Sequence, residues 1–335
     1  MNALVLAAGL GTRFRPFTDI LPKPVIPLLN VPMAFYNLHL IQQLNLGKVT
    51  INTHHLPEKM KAIITEKVLG LPLSFSDEEG QILGTGGAIK KARPTLEGRG
   101  TFVVANADVV NVFGIRDALD NHHRENPMAT MIVMTHPEAG KKYGAVWVDK
   151  NNHVVAISKA KPNIKDATPY HFVGLHLIEE SIFKYIPDGP CEVTKIYLDA
   201  IKEGEKVIAF KKEGNFFDAG TLTDFLAATD ALFDILPRLQ HEPYFLSLYR
   251  RFWPNFDRRP NLWEGLDCDH LLTLGPKSKI LMGDRCRINP QVRVSGSAVF
   301  GSDVVVEKDV ELQNVVIAPG VRIPAGQRLK NTLVL

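Results

Sequence analysis

No Gly-Lys-Ser or Gly-Lys-Thr triplet occurs anywhere in the 335 residues, so the Walker phosphate loop is excluded. Cysteine is scarce: Cys191, Cys268 and Cys286 are widely spaced and form no C-x-x-C pair, which leaves neither a redox couple nor a zinc knuckle. No apolar run approaches the ~18 residues of a membrane span. The apolar start at Ala3 has no basic segment before it, so no membrane insertion and a cytoplasmic chain are expected. Charge is nearly balanced, and a net +3 is too small for a nucleic-acid binder. No histidine follows His270, which removes the base that acyl transfer on a C-terminal coil would require.

What is present is organised around the first strand-like run, Ala3 to Ala8, and the segment after it, which holds Gly9, Gly11, Thr12, Arg13, Pro16, Thr18, Pro22, Lys23 and Pro24. A short apolar run ending in two glycines, a hydroxyl and a guanidinium reads as a buried strand that delivers a polyanion-binding loop to a sheet edge. The dinucleotide fingerprint does not fit. Phe14 stands where its third glycine belongs, and no clear acidic residue ends a second strand about 20 residues on. Pro22 and Pro24 hold Lys23 on a stiff, extended segment. A glycine-rich turn with two incidental basic residues is the plainer alternative.

From residue 1 to about 111, strand-like runs (3–8, 49–52, 73–75, 101–105) alternate with helix-like runs (33–44, 57–69, 86–96), the pattern of a doubly wound, mainly parallel α/β sheet. Ligands of such sheets sit outside the carboxyl ends of the strands. The residues there are polar: Thr53-His54-His55, Asp77-Glu78-Glu79-Gly80 and Asn106-Ala107-Asp108. Adjacent His54 and His55 diverge and lack a third ligand, so helix capping or substrate contact is expected of them rather than metal binding. Further strand-like runs (129–135, 145–148, 154–157, 171–177) extend the sheet, and a helix is expected over 222–236.

The aromatic-rich stretch from 237 to 271 holds Tyr244, Phe245, Tyr249, Phe252, Trp253, Phe256 and Trp263 and is expected to pack between domains or subunits. From Ile280 a period of six appears. One row is Ile288, Val294, Phe300, Val306, Leu312 and Ala318; the other is Ile280, Cys286, Val292, Ala298, Val304, Val310 and Val316. That rhythm predicts a parallel β-helix whose coils bury their corners by stacking. The boundaries expected are 1–236, 237–271 and 272–335.

L-A-A-G-x-G-T-R-x-x-P-x-T followed by P-K-P resembles the signature of the sugar-1-phosphate nucleotidyltransferases, the nucleotide-sugar pyrophosphorylases. Four motifs over residues 1–236 carry the likeness, and the family commonly appends a hexapeptide coil, a left-handed parallel β-helix. The resemblance implies a Rossmann-like nucleotidyltransferase core. Leu6, Ala8, Gly9, Gly11, Thr12, Gly86 and Gly87 would bind the nucleotide, and the helix start at Leu83–Gly87 would offer N–H groups to base and ribose. It also implies that Tyr143-Gly144, Lys161 and Gly174 meet the sugar phosphate. Arg13 would clamp departing pyrophosphate and Lys23 offset charge at the reacting phosphorus. Asp108 and Asp218, the latter in a D-A-G-T segment, would hold Mg²⁺. NTP and sugar 1-phosphate are the expected partners, and the β-helix or the aromatic stretch could join copies of the chain.

Three departures stand out. Ala107 replaces the usual glycine before Asp108, Ala160 the glutamate before Lys161, and Phe172-Val173-Gly174 the usual N-x-G. The last two remove polar sugar contacts. The overall look is nearest to mannose-1-phosphate guanylyltransferases and N-acetylmuramic acid 1-phosphate uridylyltransferases, so GTP with mannose 1-phosphate is expected. UTP with an N-acetylated sugar 1-phosphate, or a non-catalytic regulatory or scaffolding homologue, are the alternatives.

Overall fold

The computed structural model describes residues 1–239, 243–253, 257–259, 262–270, 272 and 277–335; Phe256 and the boundary at Leu271 lie outside them. The chain divides into two compact units. One is Met1–Leu10 with Asn37–Phe216; the other is Gly11–Tyr36 with Phe217–Leu335.

The first unit is built on a nine-stranded sheet. Its strands are β1 (Asn2–Leu6), β2 (Lys48–Thr53), β3 (Leu73–Asp77), β4 (Phe102–Asn106), β5 (Ala129–Met134), β6 (Ala145–Val148), β7 (Val154–Ser158), β8 (Thr168–Ile178) and β9 (Val207–Lys211). The order is β7-β6-β8-β4-β1-β2-β3, with β5 against β8 and β9. Neighbours β1, β2, β3 and β4 are parallel, while β8 runs antiparallel to β4. Ala3, Leu4 and Val5 are fully buried, as a strand covered on both faces requires. The order 3-2-1-4 reverses winding direction at β1, so the switch point lies between the carboxyl ends of β1 and β4.

Two expected helices are broken. Residues 57–69 form Pro57–Ile63 and Glu66–Leu69, because Thr65 Oγ1 accepts the Val68 N–H (3.2 Å) and starts a new turn. The run expected over 86–96 starts at Gly84, ends at Lys91 and resumes as Arg93–Leu96 with Pro94 in its first turn, where a missing N–H costs nothing. β8 is longer than expected and shifts register between Phe172 and His176, with Gly174 at φ +76° in the shift.

In the second unit, two stacks of parallel strands form the C-terminal coils. Leu262–Glu264, Lys279–Met282, Arg293–Phe300, Glu311–Ile317 and Arg328–Val334 make one; Asp269–His270, Arg287–Ile288, Val305–Val306 and Arg322–Ile323 the other. Their arrangement is that of a β-helix, and its first coil starts at Leu262, ahead of residue 272. The hexapeptide rhythm holds through Ala298, which stacks 18 residues on from Ile280, and then slips by one: Ala298 pairs with Val315 and Phe300 with Ile317, not Ala318. Gly296 (φ +68°) sits at the slip, where any side chain would collide with Asn314. Val316 therefore stacks on Val299, and the two expected rows part from the coils at that point.

The described part of the aromatic stretch packs within the second unit. Pro243–Phe252 is a helix, and Tyr249 stacks on Trp253 at 4.3 Å. Trp263 packs on Phe233 (5.5 Å) of the helix Leu222–Leu239, so Tyr249, Trp253 and Trp263 are buried within the second unit.

Candidate active site

In the first unit Leu6 stands opposite Asn106, and the Ala107 N–H donates to the Leu6 carbonyl at 3.0 Å, so the ends of β1 and β4 are tied at the switch point. Beyond them lie buried Ala8, exposed Gly9 and half-buried Asp108. Ala107 is fully buried and is not among the residues with positive φ, so alanine there imposes no left-handed strain.

A buried polar chain runs behind this edge. The Ala7 N–H donates to Asn52 Oδ1 (2.6 Å) and Asn52 Nδ2 to Glu78 Oε1 (2.7 Å); Glu78 Oε2 accepts the Leu83 N–H (2.7 Å). His54 Nδ1 meets the Glu78 carbonyl at 2.6 Å, and since a carbonyl only accepts, that nitrogen carries the proton. Sequence reasoning misses Asn52 and Glu78 as site residues. Their only signal is that both lie at strand carboxyl ends.

Gly86 and Gly87 lie in the first turn of the helix that starts at Gly84, and their N–H groups donate to the Cys191 carbonyl at 2.8 and 3.3 Å. A Cβ on Gly86 would lie 2.8 Å from Cys191 Sγ and 2.5 Å from Ile196 Cδ1. Helix packing on the Val193–Lys202 helix is thus one physical reason for these glycines, and the donors expected to face a ligand are already engaged. Gly174 packs over Asn106, where a Cβ would come within 3.0 Å. Exposed Gly144 has open space around its Cα, and Lys161 is exposed. Tyr143 beside Gly144 contacts the rings of His136 (5.4 Å) and His171 (5.8 Å), and His171 contacts Phe216 (5.0 Å). Burial pushes the His171 imidazole below its ordinary pKa, with His136 adding to the shift. Phe172 does not face this group; it packs on His176 at 4.4 Å.

The second unit holds the rest of the glycine loop. Gly11 is left-handed (φ +62°), and a Cβ there would meet Thr18 Cγ2 at 2.7 Å. Thr18 Oγ1 donates to the Gly11 carbonyl (3.0 Å), which closes the loop. Phe14 anchors it by packing on Phe225 (5.4 Å), leaving Thr12 and Arg13 more open to solvent before it. Lys23 is buried between its prolines.

Arg13 and Asp218 both lie beside Gly220. A Cβ on this buried glycine would lie 3.1 Å from both Arg13 Nη2 and Asp218 Oδ1. The D-A-G-T segment therefore has two separate jobs. Thr221 caps the helix, its Oγ1 accepting the Asp224 N–H (3.2 Å) and its N–H donating to Asp224 Oδ2 (3.2 Å). Asp218 stands exposed at a strand end, three residues before that cap. Among the described residues no group of three or more His, Cys, Asp or Glu is arranged to hold a metal. A site of one or two carboxylates completed by substrate phosphates needs no such group, and the carboxylate at the Gly220 cradle suits a hard cation.

No helix among the described residues is long and apolar enough to cross a membrane. The nucleotidyl transferase family model matches residues 2–234. Over its whole length the chain is 26% identical to a UTP–glucose-1-phosphate uridylyltransferase of Synechocystis sp., covering 87% of that protein. It is 28% identical to the mannose-1-phosphate guanylyltransferase catalytic subunit beta of Dictyostelium discoideum, over 72% of this chain and 67% of that one. Among solved structures, HddC from Yersinia pseudotuberculosis complexed with GMP-PN superposes with a TM-score of 0.57 at 21% identity, over 69% of this chain and 99% of that one, and so shares its fold. With the switch-point sheet and the match across residues 2–234, the chain belongs to the nucleotidyl transferase family.

Proposed function

We propose that the chain transfers a nucleotidyl group from an NTP to a sugar 1-phosphate, with GTP and mannose 1-phosphate as the pair. The observation that supports this is the Gly220 cradle, beside which both a loop guanidinium and a motif carboxylate lie, as a phosphate-handling centre needs. Relatives named mannose-1-phosphate guanylyltransferase and UTP–glucose-1-phosphate uridylyltransferase support it.

An oxygen of the sugar phosphate attacks the α-phosphorus, the bond from that phosphorus to the bridging oxygen breaks, and pyrophosphate leaves. The attacking oxygen is already anionic at neutral pH, so no general base is required, and the obstacle is repulsion between polyanions. Arg13 grips the departing pyrophosphate as a bidentate fork. Lys23 offsets charge at the α-phosphate, and Lys161 holds the incoming sugar phosphate. Asp108 and Asp218 are the residues that would hold Mg²⁺, which when bound supplies charge neutralisation and polarises the phosphates.

UTP with N-acetylmuramic acid 1-phosphate is the second reading, favoured by Ala160 and by the ring cluster beside Gly144, which offers a less polar surface than the glutamate it lacks. We place the reaction in the cytoplasm and propose the β-helix or the aromatic stretch as the face through which copies of the chain would associate.

Pyrophosphate release by purified protein with Mg²⁺, four NTPs and several sugar 1-phosphates tests the proposal. Product with GTP and mannose 1-phosphate is the result expected. No product with any pair would favour the scaffolding alternative.

A further inference from the structure

Glu78 is buried and takes part in no step described so far. A buried carboxylate is costly unless each oxygen is satisfied, and here each accepts one N–H, from Asn52 Nδ2 and from Leu83. Asn52, equally buried, passes the connection on to the Ala7 N–H. The result is an unbroken chain, Ala7–Asn52–Glu78–Leu83. It links the residue two before Gly9 to the residue one before Gly84.

We propose that Glu78 is a positioning residue that fixes the spacing between Ala7–Gly9 and the helix start at Leu83–Gly87, the two stretches that the family resemblance assigns to the nucleotide. The proposal rests on the nucleotidyl-transfer reading of those stretches. Glu78 touches no substrate; it acts through two backbone N–H groups and one amide. Charge-assisted hydrogen bonds in a dry interior are short and directional, so they hold this spacing more tightly than packing alone.

The donor pattern supplies its own test. In Glu78→Gln the new amide must point its NH₂ at either Asn52 Nδ2 or the Leu83 N–H, setting donor against donor. Adding Asn52→Asp restores every bond: the new carboxylate accepts from the Ala7 N–H and from the amide introduced at position 78, whose oxygen in turn accepts from the Leu83 N–H. We expect E78Q to raise KM for the NTP by about tenfold and leave KM for the sugar 1-phosphate within about twofold, with N52D/E78Q returning the NTP value to within about threefold of wild type. If E78Q does not fold, Glu78→Asp, which keeps the charge but shortens the reach by one methylene, takes its place with the same expected split.

An unchanged KM for the NTP in the folded variant, or a double variant no better than E78Q alone, overturns the positioning role. A wild-type protein without turnover on any NTP and sugar 1-phosphate overturns the underlying reading, and this proposal with it.

Discussion

Gly220→Ala perturbs the seating of Arg13 and Asp218 without a charge change. The added methyl carbon would sit 3.1 Å from Arg13 Nη2 and from Asp218 Oδ1, against the 3.4–4 Å of ordinary contact, so each group must retreat by about 0.3–0.9 Å. Gly220 is not among the positive-φ glycines, so alanine fits the backbone. The neighbours that yield are ends of side chains, and the smaller unfolded-state entropy of alanine contributes about 0.4–1 kcal/mol in the stabilising direction. Stability should therefore move by less than about 1 kcal/mol in either direction. Catalysis should suffer more, because misplacing a phosphate-gripping group by this much costs about 10- to 100-fold. That equals about 1.4–2.7 kcal/mol of transition-state stabilisation. Steady-state pyrophosphate release measured beside a thermal melt separates the two effects. Wild-type kcat/KM in G220A, or a melting loss large enough to account for the whole deficit, refutes the reasoning.

Asp108→Asn and Asp218→Asn should each cut turnover by orders of magnitude with unchanged circular dichroism; near-normal turnover in either removes it from the metal assignment. Activity should vanish on chelation of divalent cations and return with added Mg²⁺, which the same assay reads. Phe300→Ala, emptying a fully buried corner of the coils, should destabilise by about 3–5 kcal/mol in denaturant titration. His176 is fully buried against Tyr197, and burial pushes its pKa down to about 3. The unfolded chain then binds more protons than the folded one between the ordinary histidine range and about pH 3. Stability is full above about pH 6.5 and falls on acidification by up to about 1.4 kcal/mol per pH unit. His176→Phe should make that fall shallower in melts taken from about pH 7 to about pH 4.

The sheet was legible because its core strands are covered on both faces and appear as unbroken apolar runs: Ala3, Leu4 and Val5 are fully buried. The coils were legible through stacking, until the one-residue slip opposite Gly296. Hidden features were those that depend on contacts distant in sequence. The helices Arg116–Glu125 and Val193–Lys202 went unread, and the first carries so many charged residues that its apolar stripe is short. The grouping of Gly11–Tyr36 with the C-terminal unit had no local sign; it rests on contacts such as Phe14 on Phe225 and the Asn30 amide donating to the Phe300 carbonyl (2.7 Å).

The candidate site divides in the same way. Arg13, Lys23, Asp108 and Asp218 stood out by motif, since loops with glycine and proline announce special backbone. Gly86 and Gly87 stood out equally, yet their close approach is to Cys191 in this chain. Asn52 and Glu78 carry no motif, because what distinguishes them is burial beside each other. Gly220 was visible only as part of D-A-G-T, while its consequence, the seating of Arg13, required the fold.

Phosphorus NMR of the protein with Mg²⁺, GTP and mannose 1-phosphate tests the central claim most directly. The account predicts that signals of a sugar nucleoside diphosphate and of pyrophosphate grow in equal amounts as those of both substrates decline. Unchanged substrates, or pyrophosphate accompanied by GMP without the diphosphate linkage to sugar, would contradict it.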